Sequence, residues 1–110
     1  MKKMFAVLLA LCMALTCLTM ASAEEKTYHV GILQLVQHEA LDAATKGFTD
    51  ALKEALGDKV NVVVKNASGD SNTCGTIVNG FLADNVDLIM ANATPALQAA
   101  YNATTSIPIL

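Results

Sequence analysis

Positive charge is scarce in this chain: 7 lysines and arginines stand against 10 acids, a formal net charge of −3. Nucleic-acid affinity comes from cationic surface, so this balance argues against a nucleic-acid partner. Cysteine is equally sparse, at positions 12, 17 and 74 only. No G-x-S-x-G turn is present, which removes the usual support for a nucleophile elbow. Gly69-Asp70-Ser71-Asn72-Thr73-Cys74-Gly75 lacks the G-K-[ST] ending and the cation of a phosphate loop. His29 lies on a strand without companion ligands, and His38 with Asp42 falls short of a zinc set. Neither a cofactor nor a metal is therefore expected.

What is present is an apolar excess, 54% of residues against 15% charged, and it is unevenly placed. Lys2 and Lys3 precede an apolar run from Met4 to Met20, and Ala21-Ser22-Ala23 puts small residues at the −3 and −1 positions of a cleavage point. This pattern reads as a secretory signal peptide over residues 1–23, with export to the periplasm or the outer face of the membrane. Removing it takes two lysines and no acid, leaving five against ten, a net charge of −5 over residues 24–110. It also removes Cys12 and Cys17, so that the mature chain, with Cys74 alone, must be held by its core and not by an internal disulfide. The rival readings are a retained anchor, at the lower edge of spanning length, and a lipid on Cys17, for which Ala14-Leu15-Thr16 fits poorly.

After the leader, two hydrophobic periods alternate without repeat or linker. Tyr28 to Val36 is a strand apolar enough to be covered on both faces. Leu41, Ala44, Phe48, Ala51, Leu52, Ala55 and Leu56 recur at helical spacing, with Gly57 placed to end the helix. Val60 to Asn66 is a second strand, followed by a turn and a second helix with Cys74, Ile77, Val78 and Phe81 on its apolar face and Ser71 or Asp70 as N-cap. Val86 to Ala91 is a third strand. Thr94-Pro95 opens a third helix, with the threonine hydroxyl as cap and proline at the first helical position. A fourth strand begins at Ile107.

These β-α units predict an α/β fold: a parallel, flavodoxin-like sheet of order 2-1-3-4 with helices on both faces. The stop inside an apolar strand is short of a full domain of this architecture, so a truncated chain is expected. Ligands bind such sheets outside the carboxyl ends of the strands where the winding reverses, here between strands one and three. That point gathers residues 34–39 and 91–96, flanked by 66–71. All three loops are rich in neutral hydrogen-bonding groups and poor in cations, which suits a small polar ligand better than a nucleotide.

Candidate ligand contacts are Gln34, His38, Asn92, Thr94, Pro95 and Ala96, with Asp70 and Ser71 on the flank. The sharpest feature is Asn92-Ala93-Thr94-Pro95-Ala96, where free amides and the helix dipole at a helix start favour a carboxylate. His38 with Asp42 four residues on could suggest an oriented catalytic imidazole. No nucleophile accompanies them, and Cys74 falls on an apolar stripe. Asp84 and Asp87 flank strand three at the end away from the crevice and read as solvated termini.

The segment Val30-Gly31-Ile32-Leu33-Gln34-Leu35-Val36-Gln37-His38-Glu39-Ala40-Leu41-Asp42-Ala43-Ala44 resembles the opening of the ABC-transporter substrate-binding proteins, in particular the type I periplasmic-binding-protein-like group associated with tryptophan and other aromatic amino acids. Lys46-Gly47-Phe48, Asn66-Ala67, Gly69-Asp70, Asp87-Leu88-Ile89, Thr94-Pro95-Ala96 and Ile107-Pro108 extend the resemblance across the mature segment. Glu39 stands where the family commonly has proline. The resemblance implies two α/β lobes closing on a ligand, of which residues 24–110 supply the first part of one, with Gln34, His38 and the Thr94 turn facing the cleft. It further implies a non-enzymatic receptor for a small carboxylate such as an amino acid. The partners implied are ABC permease and ATPase subunits, with the membrane met only through the permease. The alternative from another class is an exported α/β hydrolase with its nucleophile outside this chain. A flavodoxin-like FMN module is disfavoured by a first loop without a Ser, Thr or Gly run.

Overall fold

The computed structural model describes residues 26–110 and Met4; the remainder of the leader assigned to residues 1–23 lies outside the described residues. Strand β1 (Tyr28–Gln34) is followed by helix α1 (Glu39–Leu56), a single 3-10 turn at Gly57–Lys59, strand β2 (Val60–Asn66), helix α2 (Ser71–Ala83), strand β3 (Leu88–Asn92) and helix α3 (Thr94–Ala103). The sheet is parallel in the order β2-β1-β3. A further parallel bridge pairs Ile89 with Ile109, and Leu110 N–H donates to Ile89 O at 2.9 Å, so the fourth segment joins beside β3. The order 2-1-3-4 expected from the sequence is the one observed.

Two boundaries move. The first strand ends at Gln34 and not Val36, and the third runs Leu88–Asn92 and not Val86–Ala91. At its start, Val86 N–H bonds Phe81 O and Asp87 N–H bonds His29 O, so these residues form the turn that delivers the strand. Asp87 also accepts from the His29 amide at 2.8 Å and lies 3.7 Å from the Lys26 ammonium. That amide bond, with Lys26 assisting, holds its carboxyl below the ordinary aspartate range.

The central strand is covered on both sides, with Val30, Gly31, Ile32, Leu33 and Gln34 all buried. One face meets α2 and α3, where Leu33, Ala67, Cys74, Val78, Phe81, Ile89, Ala96 and Ala100 form the apolar core. Cys74 is fully enclosed there, and burial, aided by Asp70, pushes its thiol pKa up, as expected of a packing residue. The other face meets α1, and this packing is of a different kind. Leu41, Phe48, Leu52 and Leu56 are half-buried, whereas Ala44, Ala51 and Ala55 are exposed. Only half of the predicted stripe meets the sheet, because α1 lies against it along one narrow line. The sole buried residue of this 18-residue helix is Thr45.

Close packing on the α2 side depends on Gly31. A Cβ built there would lie 2.8 Å from the Phe81 ring, inside van der Waals contact. Gly31→Ala should therefore force the ring or the helix outward and destabilise the fold by about 1–3 kcal/mol, the usual cost of overpacking. Denaturant unfolding of the variant beside the parent checks this.

Candidate ligand-binding site

Because every β-α unit runs the same way, the three helices all begin at one edge of the sheet, where the strands end. Cα register places Gln34 opposite Asn66 on one side and opposite Asn92 on the other, so the last row of the sheet is three carboxamides. Backbone bonds tie the loops that leave this row. Ala67 N–H donates to Gln34 O at 2.9 Å, Gly69 N–H to Leu35 O at 2.8 Å, and Leu35 N–H to Asn92 O at 3.2 Å. Residues 34–39, 66–71 and 92–96 thus share one rim, the juxtaposition expected from the sequence.

Two of the carboxamides turn inward. Gln34 is 3% exposed and Asn92 8%. The Gln34 amide donates to Val36 O at 2.8 Å and Asp42 Oδ1 at 2.6 Å, while its carbonyl accepts from the Thr45 hydroxyl at 2.7 Å. The Asn92 amide donates to Leu41 O at 2.9 Å and to Thr45 Oγ1 at 3.0 Å. Both N–H groups of each side chain are engaged within the protein, and through them Gln34 and Asn92 brace the rim from beneath. Asn66 remains exposed and its Oδ1 accepts from Ser68 N–H, closing the loop after β2.

The three helix starts are not equivalent. At α1, His38 is the N-cap and its Nδ1 accepts from Ala40 N–H at 3.1 Å, with Glu39 and Asp42 in the first turn. At α2, Asp70 is the cap, accepting from Asn72 N–H at 2.9 Å and from the Thr73 hydroxyl at 3.1 Å; Ser71 is exposed at the first helical position. Both starts already carry acid, which offsets the helix dipole and repels an incoming anion. At α3 there is no acid in the first turn and no side-chain cap.

The structure also corrects the expected cap. Ala93, not Thr94, is the N-cap, with φ 97° and ψ 157°, and Thr94 and Pro95 are inside the first turn. The residue before Ala93, Asn92, is anchored by its side chain to α1, and the chain reverses immediately afterwards. Thr94 is left exposed with its hydroxyl unused for capping, Pro95 is half-buried and Ala96 buried. Among the described residues, the backbone amides of Thr94 and Ala96 donate to no protein acceptor, while Leu97 N–H closes the first helical bond onto Ala93 O.

Asp42 turns to Gln34, and His38 uses Nδ1 as a helix cap, so the pair does not form an oriented catalytic dyad. Among the described residues, no group of three or more His, Cys, Asp or Glu could hold a metal, and no helix is long and apolar enough to cross a membrane. A hollow of about 470 Å³ runs down the α1 side of the sheet, lined by Gln34, Gln37, Asp42, Val64 and Asn66 among others. It touches the rim but includes neither His38 nor Thr94. Two residues that shape the rim, Thr45 beneath it and Ala93 on it, are not among those expected from the sequence. Thr45 was detectable as one of two hydroxyls, with Thr49, in line with Leu41, Phe48 and Leu52; nothing in the sequence signals the positive φ of Ala93.

A parallel sheet with its helices starting at one rim has the form in which open α/β folds bind ligands. Residues 29–110 match the family model described as ABC transporter substrate binding protein, and the chain belongs to that family. It is 45% identical over 89 residues to a tyrosine-binding protein of Clostridioides difficile (strain R20291), covering 78% of this chain and 26% of that one. It superposes on the ligand-free, open structure of a substrate-binding protein with adhesive properties from Clostridium difficile with TM-score 0.72 and 44% identity, covering 76% of this chain and 30% of that one. A streptococcal ABC domain in complex with L-Trp aligns with TM-score 0.71 and 34% identity, over 76% of this chain and 29% of the other. The chain thus spans less than a third of the length of these relatives.

The backbone at Ala93 occupies a region open almost only to glycine, at a cost of about 1–3 kcal/mol. Ala93→Gly should therefore raise stability by about 1 kcal/mol, after allowance for the greater freedom of glycine in the unfolded chain. Thermal unfolding of the two proteins measures it.

Proposed function

We propose that residues 24–110 are the first part of one lobe of an exported solute receptor. In this reading a small carboxylate ligand, an amino acid and by preference an aromatic one, binds at the rim and a second lobe closes over it. The loaded receptor then delivers its ligand to ABC permease and ATPase subunits, its only link to the membrane. Closure of the lobes, and no bond making, is the functional step. The observation that carries this is the start of α3, which alone among the three helix starts lacks both an acid and a side-chain cap.

The ligand carboxylate takes the amides of Thr94 and Ala96 and the Thr94 hydroxyl, at the positive end of the α3 dipole. Nδ1 of His38 is occupied by Ala40 N–H, so the neutral ring offers Nε2–H to the ligand from across the rim. Pro95 lacks an N–H and holds the turn open to the anion, while Ser71 offers a hydroxyl from the flank. The aromatic preference is supported by the tyrosine-binding relative and the L-Trp complex. The rim contains no aromatic residue that would select such a side chain.

Titration calorimetry of the full-length protein with L-tyrosine, L-tryptophan and non-aromatic amino acids tests the reading. Binding of an amino acid is expected, and a flat response across the panel would defeat it. Thr94→Ala should weaken binding by about 1–3 kcal/mol, the worth of a charge-assisted bond. His38→Asp retains an acceptor for the helix cap and so keeps the fold, but places an anion at the rim, and affinity should fall while melting temperature holds. The leader assignment has its own check: terminal sequencing of the exported protein should begin at Glu24, after cleavage behind Ala23.

A further inference from the structure

We propose that Thr45 is a positioning residue for ligand capture: its hydroxyl sets the spacing between the His38 start of α1 and the Thr94 start of α3. The inference rests on the reading of the rim as one wall of a ligand cleft. Thr45 itself lies beneath that rim, two helical turns along from His38, and is 8% exposed.

The apolar contacts of α1, made over Val30 and Ile32 of β1, fix that spacing less closely than directional bonds do. Leu41, Phe48, Leu52 and Leu56 are all only half-buried, and hydrophobic attraction is non-directional, so a helix resting on such contacts can slide or roll at small cost. Hydrogen bonds fix both distance and direction. Thr45 is the only buried residue of α1, and both of its polar functions are used. Its proton goes to Gln34 Oε1 and its oxygen accepts from Asn92 Nδ2. The polarity of this link is set by its neighbours, because Asn92 Nδ2 can only donate and Gln34 Oε1 can only accept.

Each further bond in the chain ends on a rim element. Gln34 Nε2 reaches Val36 O in the loop before His38 and Asp42 in the first turn of α1. Asn92 Nδ2 reaches Leu41 O, also in that turn, and Asn92 is followed directly by Ala93 and Thr94. Gln34 and Asn92 are register partners on adjacent strands and form a fixed base. Thr45 is the only side chain that bonds both, and its hydroxyl joins the Asn92–Leu41 and Leu35–Asn92 bonds in holding the two halves of the rim at one spacing.

The test compares four variants of the full-length protein. Thr45→Val keeps the shape and removes the link; Thr45→Ser restores it; Gln34→Met breaks the same link from β1. Val78→Ala weakens the apolar core on the opposite face of the sheet and serves as the control for lost stability. With L-tyrosine and L-tryptophan as probes, Thr45→Val and Gln34→Met should lose about tenfold in affinity, and Thr45→Ser should stay within about threefold of the parent. Val78→Ala should lower the melting temperature with affinity unchanged. Parent-like affinity in Thr45→Val, or an equal loss in Thr45→Ser, overturns the proposal. In ligand-free protein, amide hydrogen exchange over residues 36–42 and 93–97 should be faster in Thr45→Val than in Val78→Ala. Equal exchange also overturns it. A parent that binds neither probe defeats the cleft reading, and the exchange measurement then decides separately whether Thr45 sets the rim.

Discussion

The rim depends on a polar seam between α1 and the sheet. Elsewhere the fold obeys ordinary hydrophobic logic, with Leu33, Val78, Phe81 and Ile89 enclosed between β1, β3, α2 and α3. On the α1 side the place of a core leucine is taken by Thr45, hydrogen-bonded to Gln34 and Asn92 at the last row of the sheet. Both strands that frame the crossover point therefore end in carboxamides directed at the same helix. Their side chains face inward, and the outward surface of the rim is built from the two segments that leave the strand ends, the His38 loop and the Thr94 turn. A parallel sheet supplies the common edge, and the seam supplies the fixed separation.

Electrostatics then distinguishes among three similar helix starts. Asp70 caps α2 through the Asn72 amide, while His38 caps α1 with Glu39 and Asp42 alongside. Only α3 begins with neither an acid nor a side-chain cap. In the proposed reading the arrangement suits a zwitterion, with a carboxylate at the positive end of α3 and an ammonium group near the acidic residues at the other two starts. A nucleotide, with several negative charges, would face those same acids without a cation to balance them.

Much of this was legible in the residues. Apolar alternation marked the strands and helices, and short connections with right-handed crossovers led to the order 2-1-3-4, because few other arrangements cover both faces of the sheet. What escaped the sequence depends on side-chain direction. Gln34 and Asn92 stand at the correct end of their strands, but a strand residue points to one face or the other, and sequence position near a crevice does not say which way a side chain turns. The single residue by which Ala93 displaces Thr94 as cap is of the same kind, since the reversal directly follows Asn92, whose side chain turns to Leu41 and Thr45. A threonine at the cap would have engaged its hydroxyl with the helix; one position later, that hydroxyl is exposed.

A seam of this kind is a poor way to gain stability, and that bears on its role. A satisfied buried hydrogen bond contributes only about 1 kcal/mol net, whereas full burial of a leucine side chain contributes about 1.5–3 kcal/mol. An apolar residue at position 45 with apolar partners at 34 and 92 would hold α1 at least as firmly. It would not hold it in one register, because apolar surfaces tolerate small shifts that a hydroxyl placed between a fixed donor and a fixed acceptor does not. The strain at Ala93 points the same way, since a conformation that opposes folding persists only where its surroundings over-determine it. Here those surroundings are the Asn92 anchor on one side and the first helical bond of α3 on the other. Both features sacrifice stability for position, and both lie against the one helix start that is left open.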